Sequence, residues 1–278
     1  MNDPFKISGP TCLSLSGGRT SAYMLWRVLD SNGLDCVIND ELCVVFANTG
    51  REVPATLNFV RRISEKWHVP IHWVEYTPHD ELFREITFET ASRKGEPFEQ
   101  LILQKKFLPN PVARFCTTDL KIKPTERFLK TRGWKEWDNM LGFRADEPLR
   151  VAKIRSQPIM KESPNVERIV PLAQAGITKS HVRDFWREHE FDLELPYSFD
   201  GSTLGGNCDG CFLIPPYQRL SRMRANPSMA VWWIAQEDLT GARFTKDGPS
   251  YREMARFAID QRDMFDPSEQ AIACFCGD

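Results

Sequence analysis

The chain has 278 residues, 41% of them hydrophobic and 27% charged, with a formal net charge of −2. That length suits one large α/β domain with an extension, or two domains, and the near-neutral balance argues against a protein that coats nucleic acid non-specifically. No apolar run approaches membrane-spanning length, and residues 1–10 lack the basic-then-apolar order of a secretion signal, so a cytoplasmic protein without membrane contact is expected.

Thr11-Cys12-Leu13-Ser14-Leu15 reads as a short buried strand, and Ser16-Gly17-Gly18-Arg19-Thr20-Ser21 follows it directly. Two glycines let the backbone turn tightly and approach a ligand without a Cβ in the way. The helix predicted from Thr20 offers unsatisfied N–H groups and the positive end of its dipole, which suits a phosphate. A plain tight turn between strand and helix would use the same residues.

Ala22, Tyr23, Leu25, Trp26 and Leu29 give that helix one apolar face. Leu42-Cys43-Val44-Val45-Phe46-Ala47 is a continuous apolar run of strand length, as a buried parallel strand requires, and stops at Asn48-Thr49-Gly50-Arg51. Pro54 opens a second helix and Ile71–Tyr76 a third strand. The alternation predicts a right-handed, doubly wound, Rossmann-like sheet, with ligands beyond the carboxyl ends of its strands.

Residues 77–111 read as a covering insertion, with helical pieces near 80–91 and 98–107. Between Lys105 and Lys135 nine Lys or Arg face two acids, so this basic segment is a candidate for phosphate or nucleic-acid contact, or simply a solvated face. A fourth strand is expected near 139–143, ending at Arg144-Ala145-Asp146-Glu147. The forks of Arg144 and Arg150 suit phosphate oxygens, although Asp146 and Glu147 could equally pair with them. The pattern predicts a nucleotide-binding α/β unit over 1–172 and a mostly helical region over 173–278, with helices near 178–189, 217–224, 228–236 and 250–263. Trp232-Trp233 reads as helix packing rather than a base-stacking platform.

In such a chain eight cysteines are not a disulfide framework. Cys12, Cys36 and Cys43 lie in or near apolar segments and read as buried small hydrophobes. Cys116, the pair Cys208 and Cys211, and the tail pair Cys274 and Cys276 need another explanation. An iron–sulfur cluster, a structural zinc and a redox thiol pair all remain open.

Taken together, these residues resemble the PP-loop adenine nucleotide α-hydrolase family, in its phosphoadenylyl-sulfate (PAPS) reductase-like branch. The resemblance is carried by Ser16–Ser21, by Asn48–Arg51, and by Arg114-Phe115-Cys116 followed by Leu120-Lys121-Ile122-Lys123-Pro124. Gly142–Glu147 and the Cys208–Cys211 pair complete it. It implies a five-stranded, mostly parallel HUP-type sheet and an enzyme binding an adenine nucleotide. The nucleotide is expected on Ser16, Gly17, Gly18, Arg19, Thr20 and Ser21, with Asn48, Thr49, Gly50 and Arg144 at the same edge.

The resemblance also raises a [4Fe–4S] cluster above zinc, on Cys116, Cys208, Cys211 and a fourth thiolate from Cys274 or Cys276. It implies ATP with Mg²⁺, Arg19 and Arg144 offsetting charge at the attacked phosphorus, and adenylation followed by sulfur transfer. The expected partners are a nucleobase or nucleic-acid substrate, a sulfur or electron donor protein, and a second copy of the chain. A sulfonucleotide reductase is the alternative, with Cys276 as nucleophile. Retention of both loop glycines favours ATP, whereas Thr20 stands where ATP pyrophosphatases usually carry aspartate. A nucleotide-sensing or host-interaction protein without turnover is a third expectation.

Overall fold

The computed structural model of the chain describes residues 3–79, 81–161, 163–197, 202–206 and 208–260. Cys274 and Cys276 lie outside those residues. Strand β2 (Leu42–Asn48) is buried at every position because helices cover both faces of the sheet around it, which explains its unbroken apolar run. It pairs in parallel with β1 (Thr11–Leu15), Leu13 opposite Val44, and with β3 (Ile71–Tyr76), Phe46 opposite Trp73. On the other side of β1 lie β5 (Trp137–Met140) and then β7 (Ser163–Ile169), both parallel to it.

The sheet has seven strands in the order β4-β3-β2-β1-β5-β7-β6, so the expectation of five is corrected. Five are parallel, and β4 (Phe83–Ile86) and β6 (Ile159–Met160) are antiparallel edges. A helical reading of residues 80–91 fails because Arg84 sits opposite Glu75 in register and is ion-paired to it, which fixes the segment as a strand. The topology reverses between β1 and β5, which opens a crevice beyond the carboxyl ends of those two strands.

The helices are α1 (Arg19–Asn32), α2 (Asp35–Ile38), α3 (Pro54–Trp67), α4 (Glu96–Lys105), α5 (Phe115–Thr117), α6 (Lys123–Thr131), α7 (Pro148–Ser156), α8 (Pro171–Gln174), α9 (Lys179–Glu188), α10 (Pro216–Ala225), α11 (Met229–Thr240) and α12 (Tyr251–Asp260). A π-helical turn, Thr118–Ile122, joins α5 to α6, a geometry often found at functional sites. Among the described residues no helix is long and apolar enough to cross a membrane.

The largest core joins β1, α1 and α3 with residues beyond position 172: Leu172 is followed by Ile177, Val182, Trp186, Phe191 and Leu193. Helix α9 is seated on α1 by Phe185, whose ring lies 5.0 Å from Tyr23 and 4.8 Å from Trp26. A second core gathers α4 and α10–α12 around Phe98, Trp233, Phe244 and Tyr251. Trp232 and Trp233 therefore pack helices, as their spacing suggests. Cys12, Cys36 and Cys43 are buried free thiols.

Glu75, 0% exposed, organises the carboxyl end of β3. It accepts from Asn48 Nδ2 (2.5 Å), the Ser92 amide (2.6 Å), the Ser92 hydroxyl (2.9 Å) and Arg84 Nη2 (2.8 Å). One buried carboxylate thus fixes the end of β2 and the loop after β4. Removing it strands several buried donors, so Glu75→Ala is expected to lower the free energy of unfolding by about 3 kcal/mol, measured by urea denaturation. A loss below about 1 kcal/mol would mean that Asn48 and Ser92 find other partners.

Candidate active site

The turn after β1 closes on itself through its serines. The Ser16 amide donates to Ser21 Oγ (3.1 Å), the two hydroxyls lie 2.9 Å apart, and Ser21 Oγ donates to the Gly18 carbonyl (3.1 Å). Gly17 has φ +80°, and a Cβ there would lie 2.5 Å from Thr56 Cγ2, so both conformation and space demand glycine. Gly18 caps α1 without a side-chain bond, which leaves the amides of the first turn directed outward over the sheet edge.

Arg19 takes another direction from the one its motif suggests. Its Nε and Nη2 hold the two oxygens of Asp192 at 2.7 Å each, and Nη1 donates to Thr203 Oγ1 at 2.9 Å. Nη2 also donates to the carbonyls of Leu193 (2.5 Å) and Leu195 (2.8 Å), and the guanidinium stacks 3.9 Å from the centre of the Tyr197 ring. With 4% exposure and its donors engaged, Arg19 fastens residues 192–195 and Thr203 to the loop. The fork expected at the phosphorus is thus engaged by Asp192, Thr203 and two backbone carbonyls, while Arg19 still lines the pocket beside Arg144.

Arg144 does reach the loop. Its Nη1 donates to Thr20 Oγ1 at 3.0 Å while Nε pairs with Asp146 at 3.0 Å. Arg144, Lys179 and Arg183 line a small pocket of about 50 Å³ together with Gly18, Thr20 and Thr203. Arg19 lines it as well, and four cationic side chains beside a helix N-terminus make that pocket suited to anionic oxygens. Arg150 is a support of the turn: it pairs with Glu147 and lies 4.2 Å from the Phe143 ring centre.

On the α6 side of the sheet Ser16 borders a cavity of about 570 Å³, within the range of small-molecule and cofactor sites. Ser14, Val45, Ala47 and Asn139 form its floor, and Thr117, Thr118 and Lys121 of the π-turn region form one wall. Arg114, Lys121, Lys153 and Arg168 face a single lining carboxylate, Glu126. Part of the basic segment thus lines the cavity. Elsewhere in it Lys105 and Lys123 pair with Asp119, and Arg132 pairs with Asp40, as on an ordinary surface.

The carboxyl end of β2 holds the cysteine loop. Thr49 Oγ1 lies 3.4 Å from Cys208 Sγ, Asp209 donates its amide to the Arg51 carbonyl (2.9 Å), and the Asp209 carboxylate is ion-paired with the Arg51 guanidinium. Trp233 Nε1 donates to Asp209 Oδ1 at 2.9 Å, and the Tyr251 hydroxyl donates to the Gly210 carbonyl. A Cβ on Gly210 would fall on the Trp233 indole. Cys116 and Cys208 pack against the apolar cluster that contains Cys211, so the fold brings these three thiols to one core.

Burial first, and then the Glu52 carboxylate, push the Cys208 thiol up to about 12, with Lys121 and Thr49 opposing. Burial also raises Asp209, against the pull of Arg51. Three thiols are donors of the kind a thiophilic centre takes, but shared membership of one apolar cluster is not a ligand set. Among the described residues no three His, Cys, Asp or Glu side chains gather into a set for a single metal ion.

The phosphoadenosine phosphosulfate reductase domain matches residues 10–206 of the chain, a span that runs from β1 through the Arg19-held segment. The chain belongs to this family. Among curated proteins it is 27% identical over 208 residues to the uncharacterized nin region protein ORF290 of Escherichia phage lambda, covering 72% of this chain and 64% of that protein. The chain therefore spans less than two thirds of that relative's length. Among solved structures it is similar to PAPS reductase from Candida auris in its phosphate complex, at 14% identity over 67% of this chain and 75% of that one, TM-score 0.42. It is also similar to the U34-tRNA thiolase NcsA from Methanococcus maripaludis with its [4Fe–4S] cluster, at 15% identity over 98% and 81% of the two chains, TM-score 0.43.

In this family member the structure gathers Ser16–Ser21 and Arg144 at one end of the site and Asn48–Arg51 with the Cys208–Cys211 loop at the other, and Cys116 packs against the apolar cluster that holds Cys211. Sequence reasoning missed Asp192, Lys179, Arg183 and Asp209. Only Asp209 carried a signal, as an acid between two cysteines. Arg19→Lys keeps the charge and loses the fork, so it is expected to cost about 2 kcal/mol and to speed amide hydrogen exchange at Leu193 and Leu195 ahead of the sheet. Unchanged exchange there would show that Arg19 does not hold the segment.

Proposed function

We propose that the chain binds ATP across the β1/β5 crevice and activates a substrate by adenylation, in sulfur transfer served by a [4Fe–4S] cluster. The observation that carries this reading is the Ser16–Ser21 turn, whose left-handed glycine and open helix start lie between the 570 Å³ cavity and the cationic pocket. The nucleoside would occupy the cavity over Ser14, Val45, Ala47 and Asn139. Its phosphates would lie on the first-turn amides of α1 and the hydroxyls of Ser16 and Ser21.

Arg144, with Lys179 and Arg183, would offset the charge that develops as the α-phosphorus is attacked, an electrostatic contribution that needs no proton transfer. Mg²⁺ would arrive on the phosphates rather than in a protein cage, in keeping with its preference for few protein ligands. Cys116, Cys208 and Cys211 would hold the cluster, with Cys274 or Cys276 as the fourth thiolate or with one iron left open. When bound, the cluster supplies iron that can carry sulfur to the activated substrate. Arg114 and Lys121 suit a nucleobase or nucleic-acid phosphate as acceptor, with sulfur supplied by a donor protein.

Membership of the PAPS reductase domain family favours a second reading, a sulfonucleotide reductase. In it Cys276 attacks the sulfonate sulfur of PAPS, displaces the nucleotide, and leaves a thiosulfonate that a thioredoxin-like dithiol reduces to sulfite.

Anaerobically purified protein separates the two readings. Release of pyrophosphate and AMP from labelled ATP with a nucleic-acid or nucleobase acceptor supports adenylation, and sulfite from PAPS with a dithiol donor supports the reductase. Ser21→Ala is expected to slow pyrophosphate release at least about tenfold. About four irons per chain, lost in Cys208→Ser, are expected for the cluster. A colourless protein with one zinc would overturn the cluster, and failure to bind either nucleotide would overturn both readings.

A further inference from the structure

The cavity on the α6 side of the sheet runs well beyond the phosphate loop. Ser16 lines it at the loop, and Trp137 of β5, with Val166 opposite it on β7, lines it further down the sheet. Leu13 lies opposite Met140; Ser16 is three residues past the first and Trp137 three before the second. The two therefore stand about 20 Å apart along the strand direction, at the rise of a parallel strand. A nucleotide held by its phosphates at the loop can lie in this cavity in one sense only. Its ribose comes nearest Ser14, and the outer edge of its base points past Asn139 toward Trp137. The far end of the cavity is where the identity of the base is met.

One carboxylate stands at that end. Glu126 lines the cavity from α6, and its Oε1 accepts from the hydroxyl of Ser163, a buried residue at the start of β7, three positions before Val166. Among the described residues Glu126 forms no ion pair, and its carboxylate accepts no second hydrogen bond. Ser163 thus fixes one oxygen and leaves Oε2 to the cavity. The lining around it is apolar, with Trp137 and Val166 on the floor and Ile154 and Met160 beside them. Arg168 of β7 gives Nε to the Pro158 carbonyl (3.2 Å) and Nη2 to that of Gln157. An ionised carboxylate can only accept. In apolar surroundings an acceptor left without a donor costs free energy, so Oε2 calls for an N–H or O–H group on the occupant.

Purines differ at the outer edge of the ring: adenine carries an amino group at C6, and guanine and hypoxanthine carry a carbonyl oxygen there. We propose that Glu126 reads the base at C6, its Oε2 accepting from the 6-amino group of adenine and turning away 6-oxo purines. Ser163 is the positioning residue, which holds the carboxylate in place without touching the nucleotide. A 6-oxo purine would set its oxygen against Oε2, two acceptors with no proton between them, so the site would lose its bond and gain a repulsion. The inference rests on the nucleotide reading given above and serves ATP and PAPS alike. It adds the residue that selects adenine.

The test is calorimetric titration of the full-length chain with ATP, with inosine 5′-triphosphate, which is 6-oxo, and with purine riboside 5′-triphosphate, which has hydrogen at C6. Wild type is expected to bind ATP at least about tenfold more tightly than inosine triphosphate, with the purine riboside compound between them. Glu126→Gln, whose amide can turn either a carbonyl or an NH₂ to the base, is expected to bring ATP and inosine triphosphate within about twofold of each other. Ser163→Ala keeps the carboxylate without its hold and should narrow the gap in part. The ratio is the decisive quantity, because damage to the fold alone weakens all three nucleotides alike and leaves it unchanged. Wild type that binds inosine triphosphate as tightly as ATP would overturn the proposal, whether or not the variants fold. So would a ratio that stays at the wild-type value in a Glu126→Gln protein that melts as wild type does. Wild type that binds none of the three would instead overturn the nucleotide reading itself, an outcome recognised before any variant is compared.

Discussion

The Arg19 guanidinium is the fastening on which the phosphate-loop end of this protein depends. It sits at the first turn of α1, directly after the two glycines, and every direction of its fork is used: Asp192, Thr203 and the carbonyls of Leu193 and Leu195. A buried ion pair of this kind contributes little net stability against an apolar alternative, because desolvating both charges offsets most of the attraction. What it does contribute is position. The segment after α9 is held against the loop, and α9 is held too, since Trp186 Nε1 donates to the Arg19 carbonyl at 2.9 Å. The walls of the cationic pocket, Lys179 and Arg183 from α9 and Thr203 from the held segment, follow from that one attachment.

The end of β2 repeats the arrangement with different residues. Arg51 holds Asp209, and with it the loop carrying Cys208 and Cys211, much as Arg19 holds Asp192. Beneath it Asn48 is pinned by Glu75, so the strand end that meets the cysteine loop is itself fixed from the sheet. Strands β1 and β2 are hydrogen-bonded neighbours, about 4.8 Å apart. The two attachments therefore spring from adjacent strand ends, and a shift of either strand end would be felt at both.

The parts of this architecture that were legible in the sequence are those fixed by local chemistry. β1, β2 and β3 announce themselves because a parallel strand covered on both faces must be apolar throughout. The Gly17 turn is legible because its backbone admits little else. β5 and β7 were harder: Asp138 and Asn139, and the polar residues of Ser163–Ile169, give no such run, and β5 lies two residues earlier than its pattern suggests. β4 was misread because its strand conformation comes from pairing with Glu75 rather than from its own composition. The partners of Arg19 were invisible for a different reason. Asp192 is 173 residues away, and a buried salt bridge leaves no periodicity in either segment. Motif reasoning placed Arg19 at the phosphorus because its neighbours in sequence face that way. Helical geometry turns its guanidinium to Asp192 and the carbonyls that follow α9.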